Sequence, residues 1–472
     1  MASDQMNSFR TAVAEIKIVS IAASQPHSAE TLSQALKEQG IKNASVDLAN
    51  LSAIGFTDAG ITAISDLAKS FRPSLSIQSQ MASNATLGKF IAGEIISHWK
   101  GRVATSLGTV DFDLLCKAVK DWFAAQNTVR RHVVPCTLFP LPTNSFSIGP
   151  VTFCHVEVFP SEEFGVPHAE FWPTAGKPGG FKFEQFLDFA ASRHAPWMAL
   201  IDVFGRPPDE SARAADLAAD VALAAIQIVS PGDDMRQLAR ATGRAAPLWR
   251  IDISQTSSGE LSTDSKNQMP ALARPPDFIA KHLASAAPAF QSMGRRLEGY
   301  LTAASPLPEL NAAWCNAAYW YHEALAEALD TVAVAKLEIA MEVLFRAESM
   351  SRSKRRLLES FDAIFGLGPS DYLDVAKTVS VEQIVVAITT ARSRILHGTW
   401  PTLHNDLPSQ PGRLTISYRD VEMLTRMLLL NFSLQLDAYQ SDGQTDDTTE
   451  ALMGWIKAER LKKAQATSLT TP

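Results

Sequence analysis

Glu382-Gln-Ile-Val-Val-Ala-Ile-Thr-Thr-Ala-Arg392-Ser-Arg-Ile-Leu-His397-Gly398 is the stretch on which the reading of this chain turns. Ile384, Ile388, Ala391 and Ile395 recur at i, i+4, i+7 and i+11, the spacing of one face of an α-helix. At about 100° per residue, Arg392 falls inside the apolar sector bounded by Ile384, Val385, Ile388 and Leu396, while Arg394 projects to the opposite side. A guanidinium in that sector needs an acid or a polar cleft, because an isolated buried charge is costly. Gly398 suits a C-terminal cap and Pro401 blocks continuation, so the helix is expected to end at His397. Arg392 is therefore the residue that needs a partner.

An imidazole at a helix C-terminus feels the negative end of the helix dipole, and a neighbouring arginine opposes that influence. Arginine and histidine held together suit phosphodiester cleavage without a metal. Imidazole moves protons, while guanidinium holds the phosphate and meets the charge that develops on it. Residues five apart stand about 140° apart around a continuous helix, so they need not converge within one subunit. Spacing alone equally allows an arginine satisfied by a buried acid and a histidine that only caps its helix.

Upstream, Glu338 and Glu342 lie i, i+4 on one helix flank, where either can pair with Arg392 across a bundle; the alternative is a solvated acidic edge. Arg346, Arg352, Lys354, Arg355 and Arg356 form a basic cluster. It is either a set of phosphate contacts or a solvated helix surface, and the excess of acids across the helical region favours the surface.

Arg392, Ser393 and His397 match the signature of the HEPN superfamily (higher eukaryotes and prokaryotes nucleotide-binding domain), and the chain resembles its Apea-like prokaryotic branch. The same resemblance is carried by Met341-Glu-Val-Leu-Phe345, by the basic-apolar helix Ser351 to Phe361, and by Trp314-Cys-Asn-Ala-Ala-Tyr-Trp-Tyr321. Four helices agree in order and spacing over residues 306–440.

The resemblance implies an all-α bundle that forms a homodimer and brings two Arg/His motifs together across a cleft. It implies a metal-independent endoribonuclease acting on RNA, in which the 2′-hydroxyl attacks its own phosphate and leaves a 2′,3′-cyclic phosphate and a 5′-hydroxyl. Arg392 and His397 would be catalytic, with Ser393, Glu338 and Glu342 in support and Arg346, Arg352, Arg355 and Arg356 as candidate substrate contacts. It also implies a regulated toxin of phage defence or stress response, with an antitoxin or trigger molecule as a further partner. Non-catalytic members bind nucleotide or protein and mediate assembly, and that alternative stands beside the nuclease. Thr399 occupies the position where some HEPN toxins carry a tyrosine that partner enzymes modify, so that mode of control is not expected.

The 472 residues are enough for two or three domains, and 46% hydrophobic content suits a globular chain with ample core. A net charge of −7 argues against a general nucleic-acid coat but not against one local electropositive cleft. Cys116, Cys136, Cys154 and Cys315 are scattered like reduced thiols. Neither a signal peptide nor a run of membrane-spanning length is read, so a cytoplasmic location without membrane contact is expected. His132, Cys136, Cys154 and His155 lack the paired short spacings of a zinc site, and no metal or cofactor is expected.

The whole reads as a multidomain α+β chain. Residues 1–125 form a small α/β region, a candidate sensor or regulatory module, with strands expected at 16–22, 44–49 and 74–77. Residues 128–305 form an α+β region with strands at 133–139, 151–159, 197–204 and 248–253, a polar loop over 255–267 and a helix over 277–301. The HEPN-like bundle takes 306–440, and 441–472 is a short helix with a flexible tail.

Overall fold

Strand-like and helical textures resolve into a mixed α+β architecture, mostly helical, in the computed structural model. The structure describes residues 2–20, 29–47, 52–71, 81–159, 180–230, 232, 235–241, 249–267, 275–302, 304–347, 349–373, 378–400 and 417–470. The chain divides into two compact units, residues 1–130 with 203–213, and residues 131–202 with 214–472. Residues 131–202 and 214–305 of the central region thus share a unit with the C-terminal region.

The first unit contains α1 (Ala2–Ala14), β1 (Ile16–Ser20), α2 (Ala29–Glu38), β2 (Lys42–Asp47), β3 (Ser52–Phe56), α3 (Asp58–Phe71), α4 (Asn84–Trp99) and α5 (Thr109–Ala125). Its sheet runs β1-β3-β2 with both pairs antiparallel. The expected strand at 74–77 lies outside the described residues, and β3 holds the centre of the sheet instead. Ser-Ala-Ile-Gly-Phe is too small-residue-rich to announce a strand. Smallness is what the site needs, since a Cβ on Gly55 would stand 2.7 Å from Ile41 Cγ2. Helix α4 was not expected either, although Leu87, Ile91, Ile95 and Trp99 fall at i, i+4, i+8 and i+12 and are all buried. Phe9 of α1 meets Trp99 edge to face, ring centroids 5.1 Å apart.

In the second unit, β4 (Val129–Thr137), β5 (Phe146–Ile148), β6 (Val151–His155), β7 (Trp197–Phe204) and β8 (Ala239–Arg240) form a sheet ordered β5-β6-β7-β4-β8. Helices α6 (Gly180–Ser192) and α7 (Pro208–Val229) accompany it. The expected polar loop over 255–267 is half strand. Leu261–Asn267 forms β10 and pairs antiparallel with β9 (Trp249–Gln255). The alternation Leu261, Thr263, Ser265 is that of a strand, but its polarity hides the period. The expected single helix over 277–301 is two, α8 (Pro276–Ser285) and α9 (Ala287–Thr302), because Pro288 has no N–H to continue the ladder.

Helix α9 is sited by a close backbone approach. Gly149, at φ +54 in the β5–β6 turn, lies so near Gly294 that a Cβ on Gly294 would fall 2.4 Å from Gly149 N. Alanine is better than glycine inside a helix by about 1 kcal/mol, yet this contact is with backbone that cannot step aside. Gly294→Ala is therefore expected to destabilise the unit by about 2 kcal/mol in urea denaturation; an unchanged or raised midpoint would contradict the packing.

The helical region comprises α10 (Pro308–Leu325), α11 (Asp330–Leu344), α12 (Met350–Ser360), a π-helical turn (Phe361–Phe365), α13 (Val381–Leu396), α14 (Tyr418–Ser441) and α15 (Thr449–Thr470). Helix α11 packs on α10, α13 and α14, around a core that includes Trp314, Leu337, Met341, Val385, Ile388, Leu428 and Phe432. Where a short helix and a flexible tail were expected, α15 runs to Thr470. Leu452, Met453 and Ile456 are buried, Trp455 packs against Tyr439, and Lys457 and Arg460 pair with Asp362 of the π-turn. A helix with that many partners needs no help from its polar end.

Candidate active site

Helix α13 is closed at both ends by its own sequence. At the start, Ser380 accepts from the Gln383 N–H at 3.3 Å and Gln383 accepts from the Ser380 N–H at 2.8 Å, a reciprocal capping box. At the end, His397 is the C-cap and Gly398 adopts φ +65. The Gly398 N–H then donates to Ile395 O and the Thr399 N–H to Arg394 O, a Schellman arrangement that fixes where His397 sits. Ile384, Val385, Ile388, Ala391 and Ile395 are buried as the periodicity requires. Leu396 is not. At 54% exposure it lies on the open side, so Arg392 borders the buried sector rather than lying inside it.

Arg392 keeps 28% of its side chain exposed and turns its guanidinium toward α11. Its Nη2 donates to Glu342 Oε2 at 3.2 Å, while its Nε stays 3.5 Å from Glu338 Oε2 and makes no hydrogen bond there. Glu338 is buried, and its other oxygen accepts from Ser353 Oγ of α12 at 3.1 Å. Burial is the largest influence on this carboxyl and the Glu342 charge the next; together they push its pKa up to about 8 against the opposing pull of Arg392 and Ser353. The long Nε contact explains why the arginine loses. Near neutral pH Glu338 therefore carries a proton, and one carboxylate, Glu342, balances the Arg392 charge. The result is a guanidinium fixed from behind and open in front.

Within one subunit the two motif residues are apart. His397 is exposed, and among the described residues no hydrogen bond or ion pair joins its side chain to Arg392. Ser393, half-buried, reaches His397 through its backbone carbonyl, which accepts the His397 N–H at 3.0 Å. Arg394 lays its guanidinium 4.9 Å from the Trp400 ring centroid.

The basic cluster is held by acids. Arg346, at φ +52, pairs with Glu309 at 2.9 Å; Arg352 lies 3.8 Å from Glu450; Arg355 lies 3.6 Å from Glu359; and Lys354 pairs with Glu382 at 3.0 Å. Arg356 is buried between Glu359 and Glu450 and so belongs to no solvated surface.

Sequence reasoning missed Ser353. A signal was present: within a basic helix, Ser353, Leu357 and Ser360 share a buried face, and a small polar residue there needs a polar partner. Ser353→Ala removes the hydrogen bond that favours ionised Glu338. It is expected to raise the Glu338 pKa further and to cost about 1 kcal/mol, read by carboxyl titration in NMR and by urea unfolding. An unmoved titration would contradict the contact.

The remaining candidate ligands are placed otherwise. Cys136 and Cys154 are buried thiols held protonated by that burial, Cys154 pushed up to about 11. Among the described residues no group of three or more His, Cys, Asp and Glu side chains is placed to hold a metal ion. No described helix is long and apolar enough to cross a membrane. Compared with protein-family models, curated proteins and solved structures, the chain matches none.

Proposed function

We propose that this protein is a metal-independent endoribonuclease whose working site combines Arg392 and His397 from two copies of the chain. The observation that carries the reading is the presence of a partly open guanidinium, anchored by Glu342, and of an exposed imidazole fixed at the end of the same helix. Side chains five apart on a helix diverge, so one subunit presents two half-sites, and a second copy is needed to complete either of them. In the assembled cleft one imidazole takes the 2′-hydroxyl proton. The 2′-oxygen bonds to phosphorus, the bond to the 5′-oxygen breaks, and the imidazolium so formed gives its proton to that leaving oxygen. Arg392 meets the charge that grows on the phosphoryl oxygens. This chemistry fits a regulated cytoplasmic toxin of phage defence or stress response, restrained by an antitoxin or released by a trigger.

The test is incubation of the purified protein with total RNA in EDTA, followed by end-group analysis. Fragments carrying 2′,3′-cyclic phosphate and 5′-hydroxyl ends are expected. The ion pairing of Arg392 favours one other reading, a non-catalytic module that binds nucleotide or protein and mediates assembly. Nucleotide binding with intact RNA under every condition would select it.

A further inference from the structure

We propose that a cavity in the larger unit, away from Arg392, binds a phosphate-bearing small molecule. The cavity measures about 390 Å³ and lies among α10, α14 and the residues that follow α7. None of its lining residues belongs to α11, α12 or α13. Its walls include Arg236, Arg419, Arg426, Glu422, Tyr321 and Tyr418. Three guanidinium groups thus face one carboxylate.

That carboxylate is already engaged. Glu422 Oε1 accepts from the Tyr321 hydroxyl at 2.6 Å and lies 3.2 Å from Arg426 Nε. Burial and the Glu422 charge push the Tyr321 pKa well up, so the phenol keeps its proton and remains a donor. Arg236 is held in place by backbone and ring. It donates to Leu325 O and Glu327 O at 3.4 Å each, and its guanidinium carbon stands 4.3 Å from the Tyr418 ring centroid. Asp330, 3.5 Å from Arg236 Nη2, is half-exposed and lies outside the lining.

Three arginines against one lining carboxylate, with Asp330 beside Arg236, leave the lining cationic and suited to an anion, and arginine forks match the tetrahedral oxygens of phosphate better than lone lysines would. The volume sits at the lower end of small-molecule sites, about 300–1,000 Å³, and is far below what a nucleic-acid strand needs. The net charge of −7 makes a local cationic pocket stand out further.

The probe is inorganic pyrophosphate, titrated calorimetrically into the full-length protein at fixed ionic strength. Binding is expected, weakened about tenfold or more by Arg419→Gln and by Arg426→Gln, and unchanged by Lys117→Gln on exposed α5. Arg419 is exposed; Arg419→Glu should abolish binding while thermal unfolding, measured alongside, stays in place. Ribose 5-phosphate and adenosine diphosphate distinguish the sources of the phosphate: tighter binding of either identifies the carrier, and equal affinity assigns recognition to the phosphate alone. Absence of pyrophosphate binding overturns the proposal. So does binding that the cavity variants leave untouched, or citrate binding equal to pyrophosphate, which would reduce the cavity to a general attraction for anions.

Discussion

Arg392→Ala and His397→Ala are each expected to lower RNA cleavage by at least about a hundredfold, through different losses. His397→Ala removes the proton carrier. Its side chain is exposed and makes no hydrogen bond among the described residues, so unfolding free energy should move by less than about 0.5 kcal/mol. Lost activity in that variant cannot be blamed on lost structure. Arg392→Ala removes the group that meets phosphoryl charge and also strips Glu342 of its counter-ion. Because the guanidinium is partly exposed and Glu338 already holds a proton, solvent screening limits the stability cost to about 1–2 kcal/mol. Arg392→Lys should fall between, keeping charge but not the planar fork that can meet two phosphoryl oxygens. Single-turnover cleavage of a defined RNA, read beside urea unfolding, separates the two effects. Full cleavage by either alanine variant would remove that residue from the chemistry.

Glu338→Gln should change the pH dependence of stability more than any other single substitution in the bundle. The carboxyl ordinarily titrates near 4.5 and in the folded protein near 8, driven first by burial and then by Glu342. Between those values the folded chain binds a proton that the unfolded chain has released. Its contribution to stability is therefore complete below about pH 4.5 and is lost as pH rises through about 8. Glutamine mimics the protonated acid and cannot ionise. The variant should match the wild type near pH 5 and exceed it by about 2–4 kcal/mol at pH 9. Glu338→Ala behaves oppositely at neutral pH, costing about 2 kcal/mol by leaving the Ser353 hydroxyl without its partner. Urea unfolding at pH 5, 7 and 9 decides. Parallel profiles for wild type and Glu338→Gln would mean the buried acid is ionised throughout. In cleavage assays the same ionisation leaves two carboxylates on one guanidinium, so activity should decline as pH passes about 8.

How much of this was legible in the sequence differs by element. The end of α13 was legible because a cap is a local device: Gly398, lacking a Cβ, accepts φ +65 without strain, and nothing distant is involved. Helical spacing put Glu338 and Glu342 on one flank but left open a pair with Arg392 or a solvated edge; burial of that flank decides for the pair. Leu396 was misplaced because a helical wheel assigns faces but not how far a neighbour covers them. The break at Pro288 was hidden by continuous helical periodicity on both sides, and β10 by polarity on a hairpin with little to bury. Ser353 and the engaged state of the basic cluster were out of reach for one reason: each depends on a partner far along the chain, as Arg356 does on Glu450. The proton on Glu338 is further still from the sequence, since burial decides it.

The central claim is that one scissile phosphate is served by side chains from two copies. Equal amounts of Arg392→Ala and His397→Ala protein, each inactive alone, can be unfolded together, refolded and assayed on RNA in EDTA. Random pairing makes half the dimers mixed, each with one intact combination of two, so activity should return to about a quarter of wild type. Mixed dimers that form, as native mass spectrometry would reveal, yet stay as inactive as their parents would contradict a shared site.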